Sequence, residues 1–200
     1  MLKHAAKQSF QVWWNNLVHL TLFNFLWVIC QLLIVTGPPA TATVYILVEK
    51  VMQGDLVTLR DAWTTFRAMF VTAWKWGLCN LAMLILVISY LWWAQTQSGV
   101  FALAVSFFAL IVLAFWLTMN LFYWPLWLAQ SDSSLGNTFR NAFVLVISNP
   151  GSSLGIFLIS VGLIIISGLT ILPLIHCLMI WLALFGLHST QALIKRIPSV

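Results

Sequence analysis

Charge is what this chain has least of. Only 6% of its 200 residues are charged, nine basic and four acidic. A water-soluble surface is roughly a quarter to a third Lys, Arg, Glu and Asp, so the composition excludes a soluble globular domain. Apolar residues make up 62% and the mean hydropathy is +1.00, which makes lipid the expected solvent. The net charge of +5 is spread along the chain without a cluster, which excludes a phosphate-tracking nucleic-acid surface. Cysteine is sparse too. Cys30, Cys79 and Cys177 each lie in a long apolar run, where a thiol packs as a small hydrophobe and does not signal a disulfide framework.

The sequence also lacks the patterns of catalysis: no Gly-rich phosphate loop, no nucleophile beside a base, no pair of intramembrane carboxylates. It therefore predicts a protein that is not an enzyme and holds no cofactor or metal. His19 and His188 fall at similar depth near the ends of their runs, but no Cys or carboxylate accompanies them as a ligand. Asn24, Gln31, Asn80 and Asn120 read as hydrogen-bonding links between helices.

What is present is a series of apolar runs. A hydrocarbon core takes about 20 helical residues to cross, and backbone groups inside it must be paired internally. Spans are predicted at 17–36, 76–94, 100–128, 152–171 and 173–192, with a shorter sixth candidate at 39–53 that carries Glu49 and Lys50 near its end. Lys3 and Lys7 before the first run have the outline of a signal peptide, but the apolar stretch is too long for one, and the first helix is expected to stay.

The positive-inside rule favours six spans over five. With six, and a cytoplasmic N-terminus, Lys3, Lys7, Lys50, Arg60, Arg67, Lys75, Arg140, Lys195 and Arg196 all fall inside. Five spans would leave Lys3 and Lys7 opposite the other seven. The expected fold is therefore an all-α polytopic transmembrane bundle, N-in and C-in, in a single domain over 1–200. Tryptophan supports the interfaces: Trp13, Trp14, Trp63, Trp74, Trp76, Trp124 and Trp127 map to the inner boundary and Trp92 and Trp93 to the outer, while Trp27, Trp116 and Trp181 read as packing residues.

Two cytoplasmic amphipathic helices are predicted to lie in the interface, at about 56–75 and 133–148. In the first, Leu56, Leu59, Trp63, Phe66, Phe70 and Trp74 recur at helical spacing, and Arg60 and Arg67 flank the stripe, where they reach lipid phosphates. In the second, Leu135, Phe139, Ala142 and Val146 share a face, with Arg140 as the corresponding cation. Thr65-Phe66-Arg67 with Phe70 and Thr138-Phe139-Arg140 with Phe143 repeat one motif 73 residues apart. A parallel duplication, as some transporters use, and a chance match in an aromatic-rich chain both account for it.

A candidate polar site comprises Gly37, Pro38, Pro39, Thr41 and Glu49. The turn leaves the amides of Ala40, Thr41 and Ala42 at a helix N-terminus, an anion-type site, although proline at the first helical positions is also simply how helices begin. Glu49, if inside the core, needs a partner; Arg67, Arg140 and Lys75 are the candidates.

Gly37-Pro38-Pro39-Ala40-Thr41-Ala42, the helix that ends at Gly54-Asp55, and Phe66-Arg67-x-x-Phe70 resemble the YesL-like family of bacterial membrane proteins of unknown function. The resemblance is densest over about 37–77. It implies a multi-pass protein of the bacterial plasma membrane, in a family often encoded beside carbohydrate uptake systems, and it brings no catalytic residues. The sparse charge after Lys50 departs from the family's more basic pattern. The functional expectation is a non-catalytic accessory or scaffold subunit, partnered by the lipid bilayer and by membrane transport subunits or further copies of itself. The alternative is a small transporter or channel for a sugar or ion.

Overall fold

The structure is a computed structural model, and it describes residues 2–171, 173 and 176–195. The described residues form eight helices and no strand: α1 Leu2–Asn15, α2 Leu17–Leu32, α3 Gly37–Gln53, α4 Leu59–Ala94, α5 Gly99–Ala129, α6 Leu135–Ser148, α7 Pro150–Thr170 and α8 Leu178–Ile194. Three of them, α4, α5 and α7, are long and apolar enough to cross a membrane; α2 and α8 are apolar but shorter. Arg196, expected inside with Lys195, lies outside the described residues.

Helix boundaries follow local chemistry. α3 starts on Pro38 and Pro39 and ends at Gly54, whose φ of 92° only glycine takes without strain; Asp55 N–H then closes back on the Lys50 carbonyl at 3.0 Å. α4 opens with a capping box: the Thr58 hydroxyl accepts from Asp61 N–H at 3.2 Å and Asp61 Oδ2 accepts from Thr58 N–H at 2.9 Å. No proline interrupts the 36 residues that follow. α6, by contrast, stops at Asn149 and hands over to Pro150.

α3 is the centre of the molecule. Val44, Leu47 and Val48 share a buried cluster with Leu20 and Phe23 of α2, Met69 and Ala73 of α4, Tyr123 and Trp124 of α5, and Ile180 and Leu184 of α8. A second cluster joins Ala5 of α1, Phe122 of α5, Leu145 of α6, Ile156 of α7, and Phe185 and Leu193 of α8. α8 thus meets α2 near its start, runs beside α1, and packs on α3, α5 and α7. Pro125 interrupts the hydrogen bonding inside α5, and Gly186 of α8 lets the two helices close on that point: a Cβ there would stand 3.4 Å from both the Leu121 carbonyl oxygen and Pro125.

Two expectations change here. The segment expected to lie flat in the interface at 56–75 is not a separate helix, because α4 continues through residue 76 without a break. Its first half also lies beside α3, antiparallel to it. The loop at 54–58 joins one pair of ends, and at the other Gly77 sits against Pro38 so closely that a Cβ would come within 2.9 Å of the ring. A helix lying in the interface and a neighbour crossing the bilayer cannot stay aligned in this way. The buried face of this half is Met69 and Ala73, while Leu59 and Trp63 of the predicted stripe are 56% and 60% exposed. The predicted face of α6 is the packed one: Phe139 stacks on Trp116 at 5.0 Å and meets Tyr123 at 4.7 Å, and Ala142 is fully buried. Trp124, placed by its spacing at the inner boundary, is buried in the core and packs on Trp76 at 5.6 Å.

Candidate functional site

The 32–41 turn is held from two sides. From α2, Trp27 Nε1–H donates to the Thr41 hydroxyl at 3.0 Å, and Gln31 Nε2–H donates to the same hydroxyl and to the Gly37 carbonyl, both at 3.3 Å. The Thr41 hydroxyl in turn donates a hydrogen bond to the Gly37 carbonyl at 3.1 Å. From α4, Trp74 Nε1–H reaches the Val35 carbonyl at 2.9 Å. A Cβ at Gly37 would meet Gln31 Oε1, the movable end of that side chain, at 2.8 Å.

The turn therefore does not present the amides expected of an anion site. Gly37 N–H donates to the Ile34 carbonyl at 3.1 Å, Pro38 and Pro39 have none to offer, and Ala40 N–H donates to the Thr36 carbonyl at 3.0 Å. Thr41 and Ala42 are inside the helix, where each amide reaches back four residues. The polar atoms of Gly37 and Thr41 serve the α2–α3 joint.

Glu49 is not brought to this turn. It lies eight residues from Thr41, about 12 Å along the helix at 1.5 Å per residue, and is half-buried. Among the described residues it forms no ion pair with Arg67, Arg140 or Lys75. Arg60, Arg67 and Arg140 are all exposed, Arg60 and Arg67 on the side of α4 that turns away from α3. Beside Arg60, two hydrogen bonds from Thr58 hold the Asp61 carboxyl below the ordinary carboxylate range, helped by the nearby charges of Lys50 and Arg60. His19 is exposed, whereas His188 is engaged by α1: its Nδ1 lies 3.1 Å from the Ser9 hydroxyl and 2.9 Å from the Leu184 carbonyl. The two histidines are not brought together.

Two arrangements were only half legible. Asn24, fully buried on α2, accepts from Met179 N–H at 2.8 Å and Ile180 N–H at 3.4 Å. It thereby caps the start of α8, whose own N-cap residue, Cys177, makes no side-chain bond. Asn80 and Asn120 form a reciprocal clasp between α4 and α5. Trp116 Nε1–H donates to Asn80 Oδ1 at 2.9 Å and Trp76 Nε1–H to Asn120 Oδ1 at 2.8 Å, while each Asn amide donates to the carbonyl of the Trp four residues before it. The signal was a Trp-x-x-x-Asn spacing that occurs at 76–80 and again at 116–120.

Residues 20–94 match the family described as protein of unknown function, DUF624. The match takes in α3, α4 and most of α2, and so the turn, the clasped half of α4 and the arginines at 60 and 67. No curated protein and no solved structure matches the chain. The chain is thus all-helical among the described residues, with three helices long and apolar enough to cross a membrane and a segment similar to the DUF624 family.

Proposed function

We propose that this chain is a non-catalytic accessory or scaffold subunit of a bacterial plasma-membrane transport system, YesL-like in kind, with both termini and all charged side chains cytoplasmic. The observation that carries the reading is the hairpin formed by the second half of α4 and the first half of α5. Between Trp76 and Ser131 there is no Asp, Glu, Lys or Arg, and Leu84, Ile85, Ile88, Leu103, Phe107 and Phe108 are all about half-exposed or more. Such a surface suits lipid or the helices of a partner, which associate in bilayers through close van der Waals packing and interhelical hydrogen bonds. The link to carbohydrate uptake rests on the family resemblance.

The test is purification at native expression levels in mild detergent, with the co-purifying proteins identified. Transport subunits recovered in stoichiometric amount, and lost when Phe107 and Phe108 are both changed to Ala, support the reading. A clean partner-free species would sink it, and flux of sugars or ions through the chain alone in proteoliposomes would establish a transporter in its place.

A further inference from the structure

α2 and α4 flank α3 without packing on one another to any extent, and a groove of about 390 Å³ runs between them with α3 as its floor. Trp27 and Cys30 line it from α2, Thr43 and Leu47 from α3, and Leu59 and Trp63 from α4. The volume is within the usual range for a small-molecule site, and the lining is almost wholly apolar. In water an open apolar groove is a liability; in a bilayer it is a seat for an acyl chain.

The rim says which kind of lipid. Trp63, 60% exposed, has Arg60 three residues before it and Arg67 four residues after it, so both are its neighbours on the helix surface. Both arginines are exposed, and among the described residues neither forms an ion pair. Asp61, the acid closest in sequence, feels the charge of Arg60 but spends Oδ2 on the amide and hydroxyl of Thr58. An aromatic edge between two exposed guanidinium groups, neither of them in a contact ion pair among the described residues, is suited to phosphate, which arginine binds through paired hydrogen bonds.

We propose that this groove holds one anionic glycerophospholipid, with an acyl chain along α3 and its phosphate on Arg60 and Arg67. The assignment rests on Arg60 and Arg67 lying at headgroup level. It does not depend on the accessory role, but it does need α4 tilted in the bilayer so that Arg60 and Arg67 both stay near the headgroups. It gives the predicted basic-aromatic stripe a specific occupant in place of a general affinity for the surface.

The experiment is native mass spectrometry of the full chain released from mild detergent, with equal amounts of phosphatidylglycerol and phosphatidylcholine of identical acyl chains. The expected result is one retained phosphatidylglycerol in preference to phosphatidylcholine. Arg60→Gln with Arg67→Gln should lower that retention by about tenfold or more, since each basic side chain near an anionic surface contributes about 1 kcal/mol. Glycerol phosphate, which has the charge without the chain, should not displace the lipid. Undiminished retention in the double arginine variant overturns the proposal. So does displacement by glycerol phosphate, which would make the site a phosphate site alone. A dimer that excludes lipid and is lost in Ala62→Phe would assign the groove to a second copy of the chain. Neither arginine is packed in the core, so the double variant tests the idea without depending on the fold.

Discussion

Asn24 shows how one side chain in an apolar setting fixes the relation between distant parts of a chain. Its carboxamide oxygen satisfies two amides of α8 that the local sequence leaves uncapped. Asn24→Ala should therefore cost about 1–3 kcal/mol, the usual price of orphaned buried donors, and should loosen the start of α8 first. Amide exchange at Met179 and Ile180, followed beside thermal unfolding in detergent, checks this; unchanged protection would mean the cap carries no weight. Gly77 makes a second residue-scale case. A methyl group there would come within 2.9 Å of the rigid Pro38 ring, whereas one at Gly37 would meet only the movable end of Gln31. Gly77→Ala should destabilise the protein by about 1–3 kcal/mol, as overpacking does. Gly37→Ala should cost less, because Gln31 can swing aside and give up only its hydrogen bonds. Equal losses of melting temperature in the two variants would contradict this order.

At the level of elements, the α4–α5 register is set by the Trp-x-x-x-Asn pair. A double-mutant cycle of Asn80→Ala with Trp116→Phe should return a coupling of about 0.6 kcal/mol, the usual size for such bonds in membranes. Trp116→Phe alone should leave the stack on Phe139 in place; a coupling near zero would show that ring packing alone holds the register. The elements also show where the sequence could be read and where it could not. Helical class, the long apolar runs and the packed face of α6 follow from hydropathy and from periods of three and four, which depend only on neighbours along the chain. Asn24, Gln31, Asn80 and Asn120 were legible as interhelical links because an amide in an apolar run has few other uses. Their partners were not, since pairing depends on which helices meet. The stripe on the first half of α4 misled for a related reason. In lipid the apolar face need not be the packed face, so Leu59 and Trp63 stay exposed while Met69 and Ala73 face α3. α1 went unread because its amphipathic pattern, with Ala5 and Ser9 buried and Lys3 and Lys7 exposed, rests on small residues that hydropathy barely registers. The amide site at the turn failed for want of knowing where its donors go.

For the whole molecule the question is how charge, helix length and bilayer thickness fit together. α4 is about 54 Å long at 1.5 Å per residue, and hydrocarbon is about 30 Å thick, so part of it lies outside. The part with Arg60, Arg67 and Lys75 is the part beside α3. α2 is tied to α3 in turn through Trp27 and Gln31, so the pair enters and leaves together, adding two crossings or none. Counted with α4, α5, α7 and a crossing by the shorter α8, the number is even in both cases, and the expected cytoplasmic placement of Lys3 and Lys7 with the other cations then does not depend on whether the short helix spans. We expect none, with α2 and α3 entering from the cytoplasmic side and returning, and α4 tilted so that its first half stays near the headgroups. Single cysteines in a background without Cys30, Cys79 and Cys177 decide the matter. Gln97→Cys, in the α4–α5 turn, should react with an impermeant thiol reagent from outside, and Thr64→Cys and Gln8→Cys should not. Val35→Cys, at the exposed α2–α3 turn, should also stay unreactive from outside. Labelling at Val35 together with Gln97 would make α2 and α3 full spans and restore six crossings, while labelling at Gln8 would break the pairing of α2 with α3 on which the even count rests.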